Sequence, residues 1–457
     1  MKAAVLALAR FLVRLFYRRI EIAGLERIPR EGPVLFVANH PNGLVDPMVV
    51  LAALERPVVF VAKSTLWKIP VLRSVLDLLG CVPVVRRGEE EEPGISSKGT
   101  ERNRGAFGRL AAELAHGGCI LIFPEGRSHS DPRLSEMRTG AARVLLLSEE
   151  NPPVVLPLGL WFTKKEEFRS DVLVTVGPAV VAVPGARETA VEAWTEAIGA
   201  ALEAVTLNAD SWRDHEVVAA VDALYGRSVE NRFLEGEEGR AAGSGGPLER
   251  SLSVRKLLVD ARAGLERTHP GEVSRVARRA LAFSHLLRKF SLTPAALDEP
   301  APAAAIVAHT LRALFVVLVG FPVAVLGVAA WWVPYRLCGV IANRLPGARE
   351  RDQISLYKLL AGCVLFPVCL FLWTLAAWLA AGPIWAAAAF AALPLTGISS
   401  LLFLEYASWR EGQLRDLLAL AFAPRAIHHL RAERDALVAE CDRLADAAAA
   451  AADNPVR

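Results

Sequence analysis

A chain of 457 residues with a hydrophobic fraction of 53% is too long for a lone small module and too apolar for wholesale disorder. Its mean hydropathy of +0.32 also excludes an ordinary soluble enzyme unless the apolar excess is spread evenly, and most of that excess lies between residues 313 and 406. A net charge of +3 is too mild to argue for nucleic acid as a partner, and six cysteines without a C-x-x-C pair or metal-ligand spacing give no metal site and suggest reduced thiols.

The first twenty residues carry arginines at 10, 14 and 18 inside an apolar run of Leu, Phe and Val. A signal peptide would place its charges before an unbroken apolar run. Two readings fit: an interfacial amphipathic helix lying on anionic headgroups over residues 1–20, or a helix packed on its own domain with the arginines outward.

From residue 28 the pattern changes to short apolar runs separated by helical stretches. Strands are predicted over 34–38, 58–62, 82–85, 119–123, 154–158 and 172–176, rich in Val, Ile and Leu and mostly without alternation, as expected when both faces are covered. Helices are predicted over 47–55, 66–79, 103–116 and 136–148. The alternation implies an α/β domain over residues 21–206, with a mixed, largely parallel sheet flanked by helices and ligands at the strand ends.

A helical region follows over 207–302, with helices at 211–225, 248–267 and 273–290, a flexible linker at 235–247 and a Pro-rich break at 293–302. Membrane-embedded helices are expected over 303–406: the runs 313–335 and 359–381 have the length of a bilayer span, and 383–403 follows Gly382 as the second arm of a hairpin. Pro322 and Gly327 allow the first run to turn back as a re-entrant hairpin. The arginines of the connection 336–358 place it on the cytoplasmic side. A polar helical tail spans 407–457; its Leu430, Leu437 and Leu444 recur every seven residues, over too few heptads for a coiled coil.

Three segments carry candidate chemistry. In VLFVANHPNGLVDPMVV, Asn39 and His40 end an apolar strand, and the turn formers Pro41, Asn42 and Gly43 can bring Asp46 back towards the imidazole. Asp46 before Pro47 also reads as a helix N-cap, and a capping carboxylate can still orient a histidine. In LGCVPVVRR a strand ends in Arg86 and Arg87, a guanidinium pair suited to phosphate oxygens or simply solvated. In CILIFPEGRS a strand runs into Pro-Glu-Gly, placing Glu125 at its carboxyl end beside Gly126, with Arg127 and Arg138 available to an anion; turn chemistry alone would also explain the tripeptide.

Taken together and in order, these blocks resemble the glycerophospholipid acyltransferase family over roughly residues 20–180. Asn39-His40 through Asp46 is similar to its His–Asp block, Gly80 through Arg87 to the second, Phe123-Pro124-Glu125-Gly126 to the third, and Val154-Val155-Leu156-Pro157-Leu158 to the fourth. Five residues separate His40 from Asp46 where most members have four, and FPEGRSHSD lacks the Thr of the common version. Both departures resemble the branch that uses glycerol-3-phosphate or dihydroxyacetone phosphate.

The resemblance implies transfer of a fatty acyl group from acyl-CoA or an acyl carrier protein thioester, as co-substrate and with no bound cofactor, to a glycerol-phosphate hydroxyl. His40 would be the general base and Asp46 its orienter. Asn39, Lys63, Arg86, Arg87, Glu125, Gly126, Arg127 and Arg138 would bind substrate. A lysophosphatidate acyltransferase and a non-catalytic membrane scaffold are the alternatives. The expected partner is the lipid bilayer, and the expected setting an integral position in the cytoplasmic membrane with the catalytic domain facing the cytoplasm.

Overall fold

The computed structural model describes residues 1–85, 96–148, 151–181, 189–229, 246–290, 292, 297, 303–345, 353–422 and 424–452. Arg86, Arg87 and residues 235–245 of the expected linker lie outside them. The chain forms two compact units. One holds Met1–Trp212, Ala241–Ser253 and Pro346–Leu356, the other Arg213–Arg240, Val254–Leu345 and Tyr357–Arg457.

The first unit is built on a seven-stranded sheet of β1 (Arg19–Ala23), β2 (Val34–Ala38), β3 (Val58–Lys63), β4 (Val82–Val84), β5 (Cys119–Ile122), β6 (Val154–Phe162) and β7 (Asp171–Val176), in the order β1-β7-β6-β2-β5-β3-β4. β2, β3, β4, β5 and β6 run parallel, and β7 returns antiparallel to β6. The carboxyl ends of five strands therefore share one edge. All five residues of β2 are buried, which explains why its sequence is an apolar run without alternation.

Helices cover both faces. On one lie α1 (Lys2–Phe16) and α2 (Val45–Ala53). On the other lie α4 (Ser96–Ala115), α5 (Gly140–Leu146) and α6 (Ala190–Val205), whose Leu110, Leu114, Val144, Ile198 and Leu202 close a core over Leu35, Val37 and Ile120. The helix α3 (Pro70–Leu79) precedes β4 and ends on Gly80, whose φ of 78° is the left-handed C-cap that glycine adopts without strain.

Two local features differ from expectation. The N-terminal helix ends at Phe16, and residues 19–23 form β1 beside β7, an edge strand whose Arg-Ile-Glu-Ile alternation is hidden next to an apolar helix. The same helix buries Val13 and Phe16, and Arg10 turns inward, its Nε donating to the Leu51 carbonyl at 3.0 Å near the end of α2. It is packed on its own domain with Arg10 inward, while Leu8 and Phe11 remain exposed.

The second unit contains most of α7 (Trp212–Val229) and α8 (Pro247–Thr268), together with α9 (Pro270–Lys289), α10 (Ala303–Arg344), most of α11 (Ile354–Ala381), α12 (Pro383–Phe422) and α13 (Pro424–Ala452). Leu430 and Leu437 of α13 are buried with Phe283 and Leu287, and Leu444 with Leu265, Val273 and Val276. The seven-residue repeat thus serves helix packing within the chain.

Among the described residues, three segments are long and apolar enough to cross a membrane: Leu318–Arg344, Ile354–Ala381 and Pro383–Ala407. None of the apolar window in α11 is buried, a surface that lipid satisfies and water does not. The expected re-entrant turn is corrected: α10 continues through Pro322 and Pro334 as one helix. Gly327 instead permits close packing, since a Cβ there would collide with Ser400 and Thr396 of α12.

Candidate active site

His40 stands two residues beyond β2, where the sheet edge opens. Asn39 is spent on the scaffold: its amide donates to the Leu160 carbonyl at 3.0 Å and accepts from the Leu160 N–H at 2.7 Å. A side chain thus adds one more rung to the β2–β6 ladder. The chain then turns through Pro41-Asn42-Gly43, and α2 starts at Val45 rather than after Asp46. Asp46 lies in the first helical turn and not at the N-cap, which is Leu44.

That turn brings His40 Nδ1 to 2.9 Å from Asp46 Oδ2. The same oxygen accepts the Asn42 N–H at 2.7 Å. Asp46 is fully buried and His40 is 9% exposed. Burial pushes the Asp46 carboxyl above its ordinary value; the His40 hydrogen bond, the Asn42 N–H and the Lys165 charge act against that rise. A carboxylate kept basic in this way is a strong acceptor for Nδ1–H, which fixes the tautomer and directs Nε2 as the atom free to take a proton. Phe123 stacks on the imidazole at 3.9 Å between centroids and 13° between planes, which sets the ring's orientation.

The loop after β5 holds the His40 backbone from both sides. Glu125 Oε1 accepts the His40 N–H at 2.9 Å, and the His129 N–H donates to the His40 carbonyl at 3.1 Å. Glu125 Oε2 accepts from His129 Nε2 and from the Ser135 N–H. Glu125 is 3% exposed, and both its oxygens are engaged by this chain's own donors. Gly126 adopts φ 71°, and a Cβ there would press on Arg138 Cγ at 3.2 Å.

Beside this loop lies a cleft of about 560 Å³, with Arg127, Asp131, Arg133, Ser135, Arg138 and Asp210 in its lining. Its arginines are mostly exposed and each faces a carboxylate: Arg127 with Asp131 at 3.2 Å, Arg133 with Asp210 at 3.6 Å, Arg138 with Glu136 at 3.6 Å. Exposed pairs of this kind are weak and can be exchanged for an anionic ligand. Lys63 closes β3, two strands from β2 on the same edge. Arg86 and Arg87 lie outside the described residues.

Of the residues singled out from sequence, the structure thus joins His40, Asp46 and Glu125 in one hydrogen-bonded cluster, spends Asn39 on a strand, and leaves Arg127 and Arg138 on the cleft. Four further members were not singled out. His129 sits within FPEGRSHSD and was readable there. Tyr17, Asn42 and Lys165 were not: Asn42 Nδ2 donates to Tyr17 Oη at 2.7 Å, and Tyr17 Oη donates to the Lys165 carbonyl at 3.1 Å. Burial raises the Tyr17 hydroxyl far above its ordinary value, so it remains a donor. The thiols of this unit supply no nucleophile, because burial pushes Cys81 up to about 11 and raises Cys119. Among the described residues no cluster could hold a metal ion.

Residues 19–161 match the acyltransferase family, described simply as Acyltransferase. Similar proteins include the chloroplastic 1-acyl-sn-glycerol-3-phosphate acyltransferase LPAT1 of Arabidopsis thaliana, 27% identical over 33% of this chain and 38% of that protein. Glycerol-3-phosphate O-acyltransferase 1 of Saccharomyces cerevisiae is 23% identical over 46% of this chain and 40% of that one. Among solved structures, the 1-acyl-sn-glycerophosphate (LPA) acyltransferase of Thermotoga maritima matches at 19% identity and a TM-score of 0.32, covering 44% of this chain and 82% of that one. The chain spans about two-fifths of the length of the curated relatives named here. The site residues 39–46 and 123–127 lie inside the segment that matches the Acyltransferase family, so the similarity and the site fall on the same part of the chain.

Proposed function

We propose that this protein transfers a fatty acyl group from a thioester of coenzyme A or acyl carrier protein to a hydroxyl of glycerol-3-phosphate or dihydroxyacetone phosphate. The observation that carries the reading is the buried His40–Asp46 pair at 2.9 Å, at the carboxyl edge of the sheet. An alcohol at neutral pH is a poor nucleophile. His40 Nε2 takes its proton as the oxygen attacks the thioester carbonyl, and Asp46 stabilises the imidazolium that forms. Collapse of the tetrahedral intermediate breaks the C–S bond, and the proton on Nε2 passes to the departing thiolate. The acyl group moves directly from sulfur to oxygen with no acyl-enzyme.

The acceptor's phosphate is assigned to Arg127 and Arg138 on the cleft and to Lys63 at the end of β3, with Arg86 and Arg87 as further candidates from the sequence. Glu125 and Gly126 serve the acceptor indirectly, through the backbone of His40. A lysophosphatidate acceptor is the second reading, favoured by the similarity to proteins named 1-acyl-sn-glycerol-3-phosphate acyltransferases. Acyl chains and acylated products partition into lipid, and the three apolar segments would keep the site at a membrane. The arginine-bearing connection before α11 orients the catalytic unit to the cytoplasm.

The test uses purified full-length protein in detergent with radiolabelled acyl-CoA. Glycerol-3-phosphate, dihydroxyacetone phosphate and lysophosphatidate are offered in parallel. His40→Ala is expected to abolish transfer while the unfolding temperature is retained, and turnover in that variant would remove the proposed base. Protease treatment of intact and opened spheroplasts tests the orientation: cleavage of the catalytic unit in intact cells would reverse it.

A further inference from the structure

Lys164 and Lys165 are neighbours on the β6–β7 hairpin, and the fold treats them differently. Lys164 is 65% exposed and pairs with Glu167 at 2.9 Å within its own loop. Lys165 is turned inward. Its Nζ lies 2.6 Å from the Pro41 carbonyl and 2.6 Å from Ser130 Oγ. These acceptors belong to the two loops that build the site, since Pro41 follows His40 and Ser130 follows His129. One ammonium therefore bridges the catalytic turn and the loop that holds the His40 backbone, through short charge-assisted bonds.

The lysine is itself held in place. Its carbonyl accepts from Tyr17 Oη at 3.1 Å and from Ser355 Oγ at 2.6 Å. Tyr17 is 1% exposed and Ser355 is fully buried. The hairpin closes through Arg169 at φ 66°, the one non-glycine residue in the left-handed region among the described residues. Such a conformation persists where surrounding contacts over-determine it. Here the Arg169 N–H donates to the Phe16 carbonyl at 2.6 Å, and the Ser170 carbonyl accepts from the Arg18 N–H at 2.9 Å. Ser355 is the second residue of α11, the helix with an unburied apolar window. Residues 353–356 nonetheless belong to the catalytic unit.

We propose that Lys165 is a positioning residue that clamps the His40–Asp46 turn to the Glu125–Asp131 loop, and that Ser355 seats this clamp, so that the start of the membrane helix sets the geometry of the base. The inference rests on His40 being the base. Its charge also opposes the cost of burying Asp46 as a carboxylate. A base displaced by a fraction of an ångström loses rate while the acceptor binds as before, and that separates a clamp from a direct phosphate ligand.

The experiment measures kcat and the acceptor KM of the full-length protein for Lys165→Met, Lys165→Arg, Ser355→Ala and Tyr17→Phe, with His40→Ala alongside. Lys165→Met is expected to lower kcat by on the order of tenfold to a hundredfold with KM unmoved. Lys165→Arg should restore most of that loss. Ser355→Ala and Tyr17→Phe, which each remove one donor from the Lys165 carbonyl, should lower kcat in the same direction by less. An unchanged kcat in Lys165→Met, or a rise in KM alone, overturns the clamp. If Lys165→Met does not fold, the Ser355→Ala and Tyr17→Phe pair decides, and wild-type kcat in both overturns it. A dead His40→Ala beside an unaffected Lys165→Met rejects the clamp and leaves the base standing, whereas an active His40→Ala rejects the base.

Discussion

Replacing Asp46 with Asn changes one charge and almost no volume. The amide oxygen can take the place of Oδ2 and accept from both His40 Nδ1–H and the Asn42 N–H, which the carboxylate now does at 2.9 and 2.7 Å. The loss is then the attraction between the carboxylate and the imidazolium, which exists only once His40 has taken the proton. Charge centres about 4 Å apart at an effective dielectric of about 20 interact by about 4 kcal/mol. That is about three orders of magnitude in rate. Because the term is absent from the ground state, it should fall on kcat and leave the acceptor KM unchanged. The assay is steady-state acyl transfer with saturating acyl-CoA and varied acceptor, with the unfolding temperature recorded on the same preparation. A variant within about tenfold of the parent kcat, or one whose loss lies wholly in KM, would refute the role given to the carboxylate.

Three further outcomes follow from the same geometry. Burial raises Asp46 above its ordinary 3.8, so the folded chain holds a proton the unfolded chain would release, and its stability contribution is present below 3.8 and lost as pH rises through the raised value. Urea unfolding at several pH values should therefore show the parent gaining stability relative to Asp46→Asn as pH falls towards 3.8; a difference independent of pH contradicts the raised value. Asn39→Ala strips both partners from the Leu160 backbone and should cost about 2 kcal/mol of stability with the acceptor KM changed by less than about twofold, so a large KM effect would return Asn39 to the substrate. Gly126→Ala places a Cβ at φ 71° against Arg138 and should cost about 1–2 kcal/mol, read as a lower unfolding temperature together with reduced kcat.

The sheet was legible because burial on both faces leaves a plain signature. Val34–Ala38 is apolar throughout, and the strand has those bounds. β1 was missed because an edge strand of five residues beginning with Arg19 carries too little apolar content to stand out beside the N-terminal helix. The His40–Asp46 pair was legible from its turn formers, since Pro, Asn and Gly between a strand and a helix force the chain back on itself. The support around the pair was not. Tyr17, Lys165 and Ser355 reach the site from positions 25, 124 and 190 residues distant from their partners. No local spacing encodes such approaches, which arise only when the β6–β7 hairpin and the start of α11 fold against the same edge.

The function of Glu125 shows why the kind of residue alone misleads. A carboxylate at the end of a strand, next to a glycine, invites assignment as a substrate ligand. In the folded chain it is 3% exposed, and its two oxygens take the His40 N–H, the His129 imidazole and the Ser135 N–H. With the His129 N–H on the His40 carbonyl, Phe123 on the ring face and Asp46 on Nδ1, each polar group of His40 except Nε2 has a partner among the described residues. As the proposed base, a His40 constrained in this way would lose little entropy on reaching the transition state, because its orientation is set during folding and not during reaction. The same constraint keeps the anion-binding task away from the carboxylate. Under the proposed function it falls instead to the exposed guanidiniums on the cleft, whose weak surface pairs could be surrendered to a phosphate at little cost.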